Sequence, residues 1–246
     1  MSVDIVITAG DGRAAKKVFG RNKALLEVDG KPILRHIVEV LLACDEIGKI
    51  VVVGPKDKFA GVIGDLGVDI IEQKRSLMEN GWEGFLQTIP EYSRTGVVTN
   101  EMAWKYRNKY ILGMPGDIPL LTVREVQEFI KQCDMESYDY CAGITSEEIL
   151  DRFGPRKGMP GIKMATFHVR NGNFRQNNLH MIKPFMLRNG IDLALKVYEY
   201  RYQKELVNIL KAIGEIVKLG PGHIGKTLWL YLLLQISTGL TSLGLK

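Results

Sequence analysis

The stretch Val-Asp-Ile-Val-Ile-Thr-Ala-Gly-Asp-Gly, residues 3–12, decides the fold class of this chain of 246 residues. Its first six residues are mostly β-branched and apolar, and glycines follow almost at once. Such a run is typical of a buried strand that ends in a functional loop. The sequence therefore predicts a strand over Val3–Thr8 and a loop that begins at Ala9.

Three further apolar runs, at residues 49–54, 68–72 and 110–114, have the length and composition of strands covered on both faces. The segments between them are long enough for helices. Residues 33–41 carry one apolar helical face, and Pro32 suits the first position of that helix. This alternation predicts an α/β fold with a Rossmann-like, mostly parallel mixed sheet and helices on both faces.

Composition excludes several classes of protein. The chain is 46% hydrophobic and 25% charged, which fits a soluble globular protein and neither a disordered nor a wholly membrane-embedded one. There are 33 basic and 28 acidic residues, and the difference, 33 − 28, is a net charge of +5. This excess is too modest to indicate a nucleic-acid partner, so none is expected.

The cysteines and the N-terminus predict a cytoplasmic protein. Cys44, Cys133 and Cys141 are widely spaced and form no C-x-x-C pair, so we expect reduced structural residues in the cytosol. The first eight residues contain Asp4 and only a short apolar run, so we do not expect a cleavable secretory signal.

The second half of the chain is less regular. Residues 161–174 read as two strands joined at Asn171-Gly172, and helical patterns run over 183–213. Residues 227–245 carry no charge and approach the length of a spanning helix, but polar residues dilute their second half. A buried or subunit-interface helix is therefore favoured over a membrane anchor. We expect a catalytic domain over 1–213 and a helical extension over 214–246, through which the chain could form homo-oligomers.

Two glycine patterns have structural explanations. Residues 10–15 match G-x-G-x-x-A, but the segment after them lacks the helical stripe that a dinucleotide-binding unit needs. Residues 220–227 match a P-loop, yet only 19 residues follow Thr227, too few for the remaining sheet and its metal-binding aspartate. A turn followed by a helix is favoured there.

A third pattern combines distant segments. Residues 8–13 read TAGDGR, Lys23 follows, and residues 30–32 read GKP. Together with GDIPL at 116–120, they resemble the nucleotidyltransferase superfamily of molybdenum-cofactor guanylyltransferases and sugar-1-phosphate nucleotidyltransferases. Its signature is AGG-x-G-x-R, then K, then GKP, and Asp11 replaces its second glycine. The resemblance covers about the first 185 residues.

The loop residues also have a direct chemical interpretation. Small residues let the backbone N–H groups of a loop approach phosphates, so Ala9, Gly10, Asp11 and Gly12 are candidate nucleotide-binding residues. Arg13 can grip phosphate oxygens bidentately, and Lys23 supplies a point charge near the reacting phosphorus. Arg13 and Lys23 are therefore candidates for both nucleotide binding and catalysis. The alternative is a solvated basic loop.

Asp117 is the first candidate metal ligand. It follows a buried apolar strand, at the edge where open α/β sheets bind ligands, and its carboxylate suits Mg²⁺. The resemblance also implies a metal-binding aspartate in this segment. Asp117 could instead cap the next helix, although Thr122, with Glu125 three residues later, fits that role better.

Asn178 is the second candidate metal ligand. Asn177-Asn178-Leu179 resembles a G-G-N-L-like element near the metal in this superfamily, and an amide oxygen can complete an aqueous Mg²⁺ shell. An asparagine pair at a strand end is also common turn chemistry. His180 is interpreted as a packing or locally hydrogen-bonded residue rather than a base.

Asn80 is a candidate for contact with the donor base, because the superfamily often places a nucleotide-contacting segment here and an amide offers both donor and acceptor. The alternative is a helix N-cap. Trp82 and Phe85 are assigned to the core. The basic loop at 152–157 could close over a phosphorylated acceptor or be a plain surface loop.

The resemblance implies Mg²⁺-dependent transfer of a nucleoside monophosphate from a nucleoside triphosphate to a phosphorylated acceptor, either molybdopterin-like or a sugar phosphate, with release of pyrophosphate. Two alternatives stay open at this point. One is a noncatalytic nucleotide- or sugar-phosphate-binding protein, and the other is a membrane-associated protein anchored by its last helix.

Overall fold

The structure is a computed structural model that describes residues 2–11, 17–156, 158–162, 164 and 166–187. The described residues fall into two compact units. The first comprises residues 2–142 and 178–187, and the second comprises the described part of 143–177. The expected helices beyond 187, the P-loop-like segment at 220–227, the uncharged segment at 227–245 and the C-terminal helical extension lie outside the described residues.

The strands are β1 (Val3–Thr8), β2 (Glu27–Val28), β3 (Lys31–Pro32), β4 (Ile47–Gly54), β5 (Asp69–Glu72), β6 (Ile111–Pro115), β7 (Tyr140–Ser146), β8 (Phe167–Val169) and β9 (Gly172–Ile182). The helices are α1 (Ile33–Leu42), α2 (Lys56–Ile63), α3 (Leu77–Gln87), α4 (Pro90–Thr95), α5 (Asn100–Lys105), α6 (Val123–Gln132) and α7 (Glu147–Asp151). Two 3₁₀ turns, Lys23–Leu25 and Gly64–Leu66, complete the elements of the described chain.

The main sheet has the strand order β5-β4-β1-β6-β9-β7. β1 pairs in parallel with β4 and β6, β4 pairs in parallel with β5, and β6 pairs antiparallel with β9. This mixed, mostly parallel sheet confirms the predicted fold class, and the first predicted strand has the predicted bounds.

Helices cover both faces of the sheet because its central strands are apolar on both sides. On one face, Ile5, Ile7 and Val52 pack into a cluster that includes residues of α1, α2 and α6. On the other face, Val6, Val51 and Val53 pack with residues of α3 and α5. Phe85 is fully buried in this second cluster and Trp82 packs against it, which confirms their assignment to the core.

The strand order creates a crevice at one edge of the sheet. From β1 the chain moves outward through β4 to β5, and then returns to the other side of β1 to form β6. The loops that follow β1 and β6 therefore leave in opposite directions. Open α/β sheets bind ligands at such a reversal, at the carboxyl ends of the strands.

Two boundaries differ from the sequence predictions. Pro32 is the residue before α1, which begins at Ile33, so Pro32 ends β3 instead of opening the helix. The hairpin exists, but its strands pair from Val169 to Gly172, so the turn is at 170–171. Gly172 has a φ of 135° and opens β9.

The largest difference is the length of β9. Asn177 and Asn178 were expected at a strand end, yet both lie inside this strand of 11 residues. The strand continues because Leu179 and Met181 are buried in the core, while His180 to Ile182 pair with β6. Tertiary pairing here overrides the low strand propensity of asparagine.

Candidate active site

The carboxyl ends of the central strands are joined by backbone hydrogen bonds. The Gly116 N–H donates to Thr8 O at 3.1 Å, and the Ala9 N–H donates to Val53 O at 2.8 Å. At the next residue of β4, the Gly54 O accepts the Gln73 N–H at 3.1 Å. The segments after β1, β4, β5 and β6 thus meet at one edge of the sheet, within the first unit.

Lys23 and Asp117 meet at this edge. The Lys23 Nζ donates to Asp117 Oδ2 at 3.0 Å, although the residues are 94 positions apart. Their side chains are 39% and 33% exposed, so both can reach a ligand in solvent. The structure therefore brings together the predicted catalytic lysine and the predicted metal-binding aspartate.

Asn22 fixes the backbone that carries Lys23. Its Nδ2 donates to Ala9 O at 2.8 Å, and its Oδ1 accepts the Ala24 N–H at 2.9 Å. The first bond ties this segment to the loop after β1, and the second caps the 3₁₀ turn that begins at Lys23. Sequence reasoning missed Asn22, although a polar cap before the buried Ala24 is a readable signal.

Small residues allow close approach here for reasons of packing as well. A Cβ on Gly116 would lie 2.6 Å from Ala9 Cβ, so the loop before Asp117 can touch the end of β1 only without a side chain. A Cβ on Gly10 would lie 2.8 Å from Gln73 Oε1 and 3.1 Å from Asn80 Nδ2. Gly10 therefore lies beside two amide side chains, one directly after β5 and one in α3.

These two amides organise the edge beside Gly10. Gln73 Oε1 accepts the Asp11 N–H at 2.6 Å, and Asn80 Oδ1 accepts the Lys74 N–H at 2.6 Å. Asn80 is buried inside α3, whose N-cap is Ser76 with a reciprocal capping box to Glu79. The N-cap alternative for Asn80 is therefore wrong. Gln73 was missed, although it directly follows an apolar strand.

Asp11 forms an ion pair that the sequence did not predict. Its Oδ2 lies 3.0 Å from the Nζ of Lys58, in the first turn of α2. Its Oδ1 is buried and has no hydrogen-bond partner among the residues that the structure describes. Both side chains line a cavity of about 350 Å³, together with Lys17, Gly20, Arg21, Asn22 and Leu25. The pairing of Lys58 with Asp11 could not be predicted from the sequence, because the two residues are 47 positions apart.

Of the remaining predicted site residues, two are not described and the third, Asn178, lies on β9, which pairs with the strand before Asp117. Gly12 and Arg13 are outside the described residues. Asn178 is exposed on β9 and forms no hydrogen bond with Asp117. Within the described ranges, no group of three His, Cys, Asp or Glu residues is arranged to hold a metal ion. Thr122, and not Asp117, caps α6 by accepting the Glu125 N–H at 3.2 Å, as predicted.

His180 has a local structural role. Its Nδ1 lies 2.9 Å from the Tyr140 hydroxyl, and the two rings stack with an interplanar angle of 11°. Burial lowers the pKa of His180 below its ordinary value because the charged imidazolium loses solvation. These contacts confirm the interpretation as a packed and locally hydrogen-bonded residue.

The cysteines are free thiols. Cys44 is buried in the hydrophobic core. Cys133 and Cys141 are partly buried and pack against this core. Burial raises the pKa of the Cys133 thiol to about 12, and the neighbouring Cys141 adds to this rise.

Within the described residues, no helix combines the length and the apolarity needed to cross a membrane.

A family model, described as the MobA-like NTP transferase domain, matches residues 5–212. The chain belongs to this family of nucleotidyltransferases. The match includes the loop after β1, Lys23, Asp117 and Asn178, so the predicted superfamily is confirmed. Comparison with curated proteins finds no match.

Three solved structures share the fold of this MobA-like domain. A hypothetical transferase from Thermus thermophilus is 22% identical with a TM-score of 0.63, over 96% of this chain and 83% of that one. A CMP:2-keto-3-deoxy-manno-octonic acid synthetase complexed with CTP is 15% identical, with a TM-score of 0.53, over 89% and 85%. A 4-diphosphocytidyl-2C-methyl-D-erythritol synthase from Anaerococcus prevotii is 12% identical, with a TM-score of 0.51, over 84% and 79%.

Proposed function

We propose that this MobA-like protein transfers a nucleoside monophosphate from a nucleoside triphosphate to a phosphorylated small molecule and releases pyrophosphate. The observation that carries the proposal is the Lys23–Asp117 ion pair, whose Nζ and Oδ2 atoms are 3.0 Å apart at the point where the strand order of the sheet reverses. A phosphate-binding cation and a metal-binding carboxylate at one point are the groups that phosphoryl chemistry needs.

The bond changes follow from the substrates. An oxygen of the acceptor phosphate attacks the α-phosphorus, the bond from that phosphorus to the bridging oxygen breaks, and pyrophosphate leaves with the electron pair. Lys23 and Arg13 neutralise charge that develops on the phosphate oxygens. The acceptor phosphate is already an anion, so no general base is required.

The donor set at Asp117 fits Mg²⁺. This ion is commonly held by one or two carboxylates, waters and substrate phosphates, so a single partly exposed carboxylate beside a phosphate site is sufficient. Asp117 would hold the ion and Asn178 is the second candidate ligand. Bound there, Mg²⁺ would neutralise phosphate charge.

The nucleoside is assigned to the side of the loop that faces β5. Gly10 lies beside both Gln73 and Asn80. Their side-chain oxygens accept the Asp11 and Lys74 N–H groups, so their NH₂ groups are proposed to donate to a base edge. With the loop Ala9–Gly10–Asp11–Gly12, they form the proposed donor site. The solved synthetase with CTP is a relative in fold only, so the base of this chain's donor is left to experiment.

The acceptor is proposed to be molybdopterin-like or a sugar phosphate, and the basic loop at 152–157 is proposed to contact it. Its described part, residues 152–156, includes the exposed Arg152 and Arg156 in the second unit. Exposed guanidinium groups suit a phosphorylated ligand.

A noncatalytic nucleotide-binding protein is a second candidate. One observation favours it, because Asp11 replaces the small residue of the family loop and its N–H is already bonded to Gln73. A loop with one fewer free N–H group could bind a nucleotide without activating it.

A thermal-shift panel of nucleoside triphosphates, each with and without Mg²⁺, tests the proposal and names the donor. Selective stabilisation by one triphosphate with Mg²⁺ supports the site, because a ligand of the native state raises the melting temperature. Pyrophosphate release with phosphorylated acceptors then separates the enzyme from a noncatalytic binder. If no triphosphate stabilises the protein, both the enzyme and the noncatalytic binder are refuted.

A further inference from the structure

The cavity beside Asp11 is strongly cationic. Lys17, Arg21 and Lys58 line it, and Asp11 is the one carboxylate among the described residues of its wall. A wall of three cations and one anion favours an anionic ligand with more than one charge. Its volume of about 350 Å³ exceeds that of a single phosphate.

Asp11 would be unfavourable in this cavity by itself. Its side chain is 14% exposed, so its carboxylate is largely removed from water and would repel phosphates. Lys58 offsets this charge at 3.0 Å while its own side chain stays 59% exposed. An ammonium has three N–H donors, and the bond to Asp11 uses one of them.

The Asp11–Lys58 pair also supplies N–H donors to the cavity at a point where one backbone N–H of the loop is already used. The Asp11 N–H donates to Gln73 Oε1 and is therefore occupied. The Asp11 carboxylate accepts a hydrogen bond from Lys58 Nζ and so holds this ammonium group beside Asp11. A lysine from α2 thus presents two further N–H donors to the cavity.

We propose that Lys58 binds the triphosphate of the donor and that Asp11 is a positioning residue that holds Lys58 at the cavity. This inference rests on the proposed function, since it assigns the cavity to the donor and not to the acceptor. It also explains how the chain accommodates aspartate at a glycine position of the family signature: Lys58 cancels its charge.

Titration calorimetry of the full chain with inorganic triphosphate and Mg²⁺ tests this assignment without knowledge of the base. Lys58→Met is expected to weaken binding about tenfold or more, because a charge-assisted hydrogen bond is lost. Lys58→Arg should retain most of the affinity. The matched control is Lys56→Met, an exposed lysine of the same helix that does not line the cavity, with an expected change below about twofold.

A double-mutant cycle tests the positioning role of Asp11. In the Lys58→Met background, Asp11→Asn should tighten triphosphate binding, because only repulsion is removed. In the wild-type background this gain should be absent or reversed, because Lys58 loses its anchor. Effects that differ at least about threefold between backgrounds support positioning. Equal effects in both backgrounds would overturn it.

Other outcomes separate this inference from the proposed function. If Lys23→Gln weakens triphosphate binding and Lys58→Met does not, the inference fails and the proposed function stands. If Lys58→Met weakens triphosphate binding but wild-type protein releases no pyrophosphate with any acceptor, the inference stands and the catalytic proposal fails. Loss of glucose 1-phosphate binding alone in Lys58→Met would assign the cavity to the acceptor and overturn the inference.

Discussion

At the residue scale, Lys23 and Asp117 owe their geometry to neighbours that hold the backbone. Asn22 and Gly116 fix the two segments, and the ion pair itself is partly solvated. Partly exposed ion pairs contribute little to folding, about 0–1 kcal/mol. Substitutions at these positions therefore report chemistry more than stability.

Lys23→Gln is expected to reduce turnover about 100-fold or more, because one preorganised cation at the reacting phosphates is lost. Its free energy of unfolding in urea should change by less than about 1 kcal/mol. The matched control is Lys49→Gln, which removes a lysine paired with Asp69 and exposed to the same 39% as Lys23, and should leave turnover unchanged. Equal activity in the two variants would contradict the assignment of Lys23.

His180 predicts a pH dependence of stability. Its folded pKa lies below the unfolded value of about 6.5, so folding favours the neutral ring. This contribution is fully present above the unfolded pKa and is lost as the pH falls through the folded pKa, where the unfolded chain binds the extra proton.

Urea denaturation at pH 8 and pH 5 checks this dependence. Wild type should lose more stability between the two values than His180→Gln, whose side chain does not titrate. An identical loss in both proteins would show that another group causes the pH effect.

At the element scale, α3 packs closely on the sheet because Gly84 has no side chain. A Cβ on Gly84 would lie 2.5 Å from Val6 Cγ1 and 2.9 Å from Val53 Cγ2. A Cβ on Gly81, in the same helix, would meet nothing within 4 Å. The two glycines therefore separate packing from helix propensity.

Gly84→Ala should destabilise the protein by about 1–3 kcal/mol, since the helix must move away from β1 and β4. Gly81→Ala should stabilise it by about 0.5–1 kcal/mol, because alanine favours helix over glycine. Urea denaturation measures both. Equal destabilisation by the two substitutions would contradict the close packing at Gly84.

The elements also mark what sequence could and could not predict. The buried strands were predictable, since β-branched runs such as Val3–Thr8 are covered on both faces. The N-cap alternative for Asn80 was wrong, although Ser76 and Glu79 have the spacing of a capping box at the start of α3. The length of β9 could not be predicted from the sequence. Asparagine has a low strand propensity, and the strand is fixed by its pairing with β6, which is distant in sequence.

The site shows the same division. Loop residues next to strand ends, such as Gly10 and Asp117, were predictable because strand order brings strand ends to one edge. Gln73, Asn22 and Lys58 were missed, since their roles depend on partners distant in sequence.

At the scale of the whole molecule, the family match ends at residue 212, beside the predicted domain boundary at 213. We therefore propose that a chain truncated after residue 213 keeps the donor site. Its affinity for the donor nucleotide should stay within about threefold of the full chain, because every proposed donor-site residue lies before residue 213 and inside the family match. Calorimetry checks this, and a folded truncated chain that binds no nucleotide would contradict the boundary.

The net charge of +5 is also best understood at this scale. The described Lys17, Arg21 and Lys58 line the cavity beside Asp11, so positive charge is concentrated at one cavity. This local concentration favours a polyphosphate ligand over an extended nucleic-acid surface.

The most direct test of the central claim is pyrophosphate release by the wild-type chain and by Asp117→Ala. Both would be assayed with the donor identified by thermal shift, Mg²⁺ and a set of sugar phosphates and molybdopterin. Wild type is expected to release pyrophosphate only with Mg²⁺ and a phosphorylated acceptor, and folded Asp117→Ala should lose about 100-fold or more of that rate. An unchanged rate in folded Asp117→Ala would contradict the account.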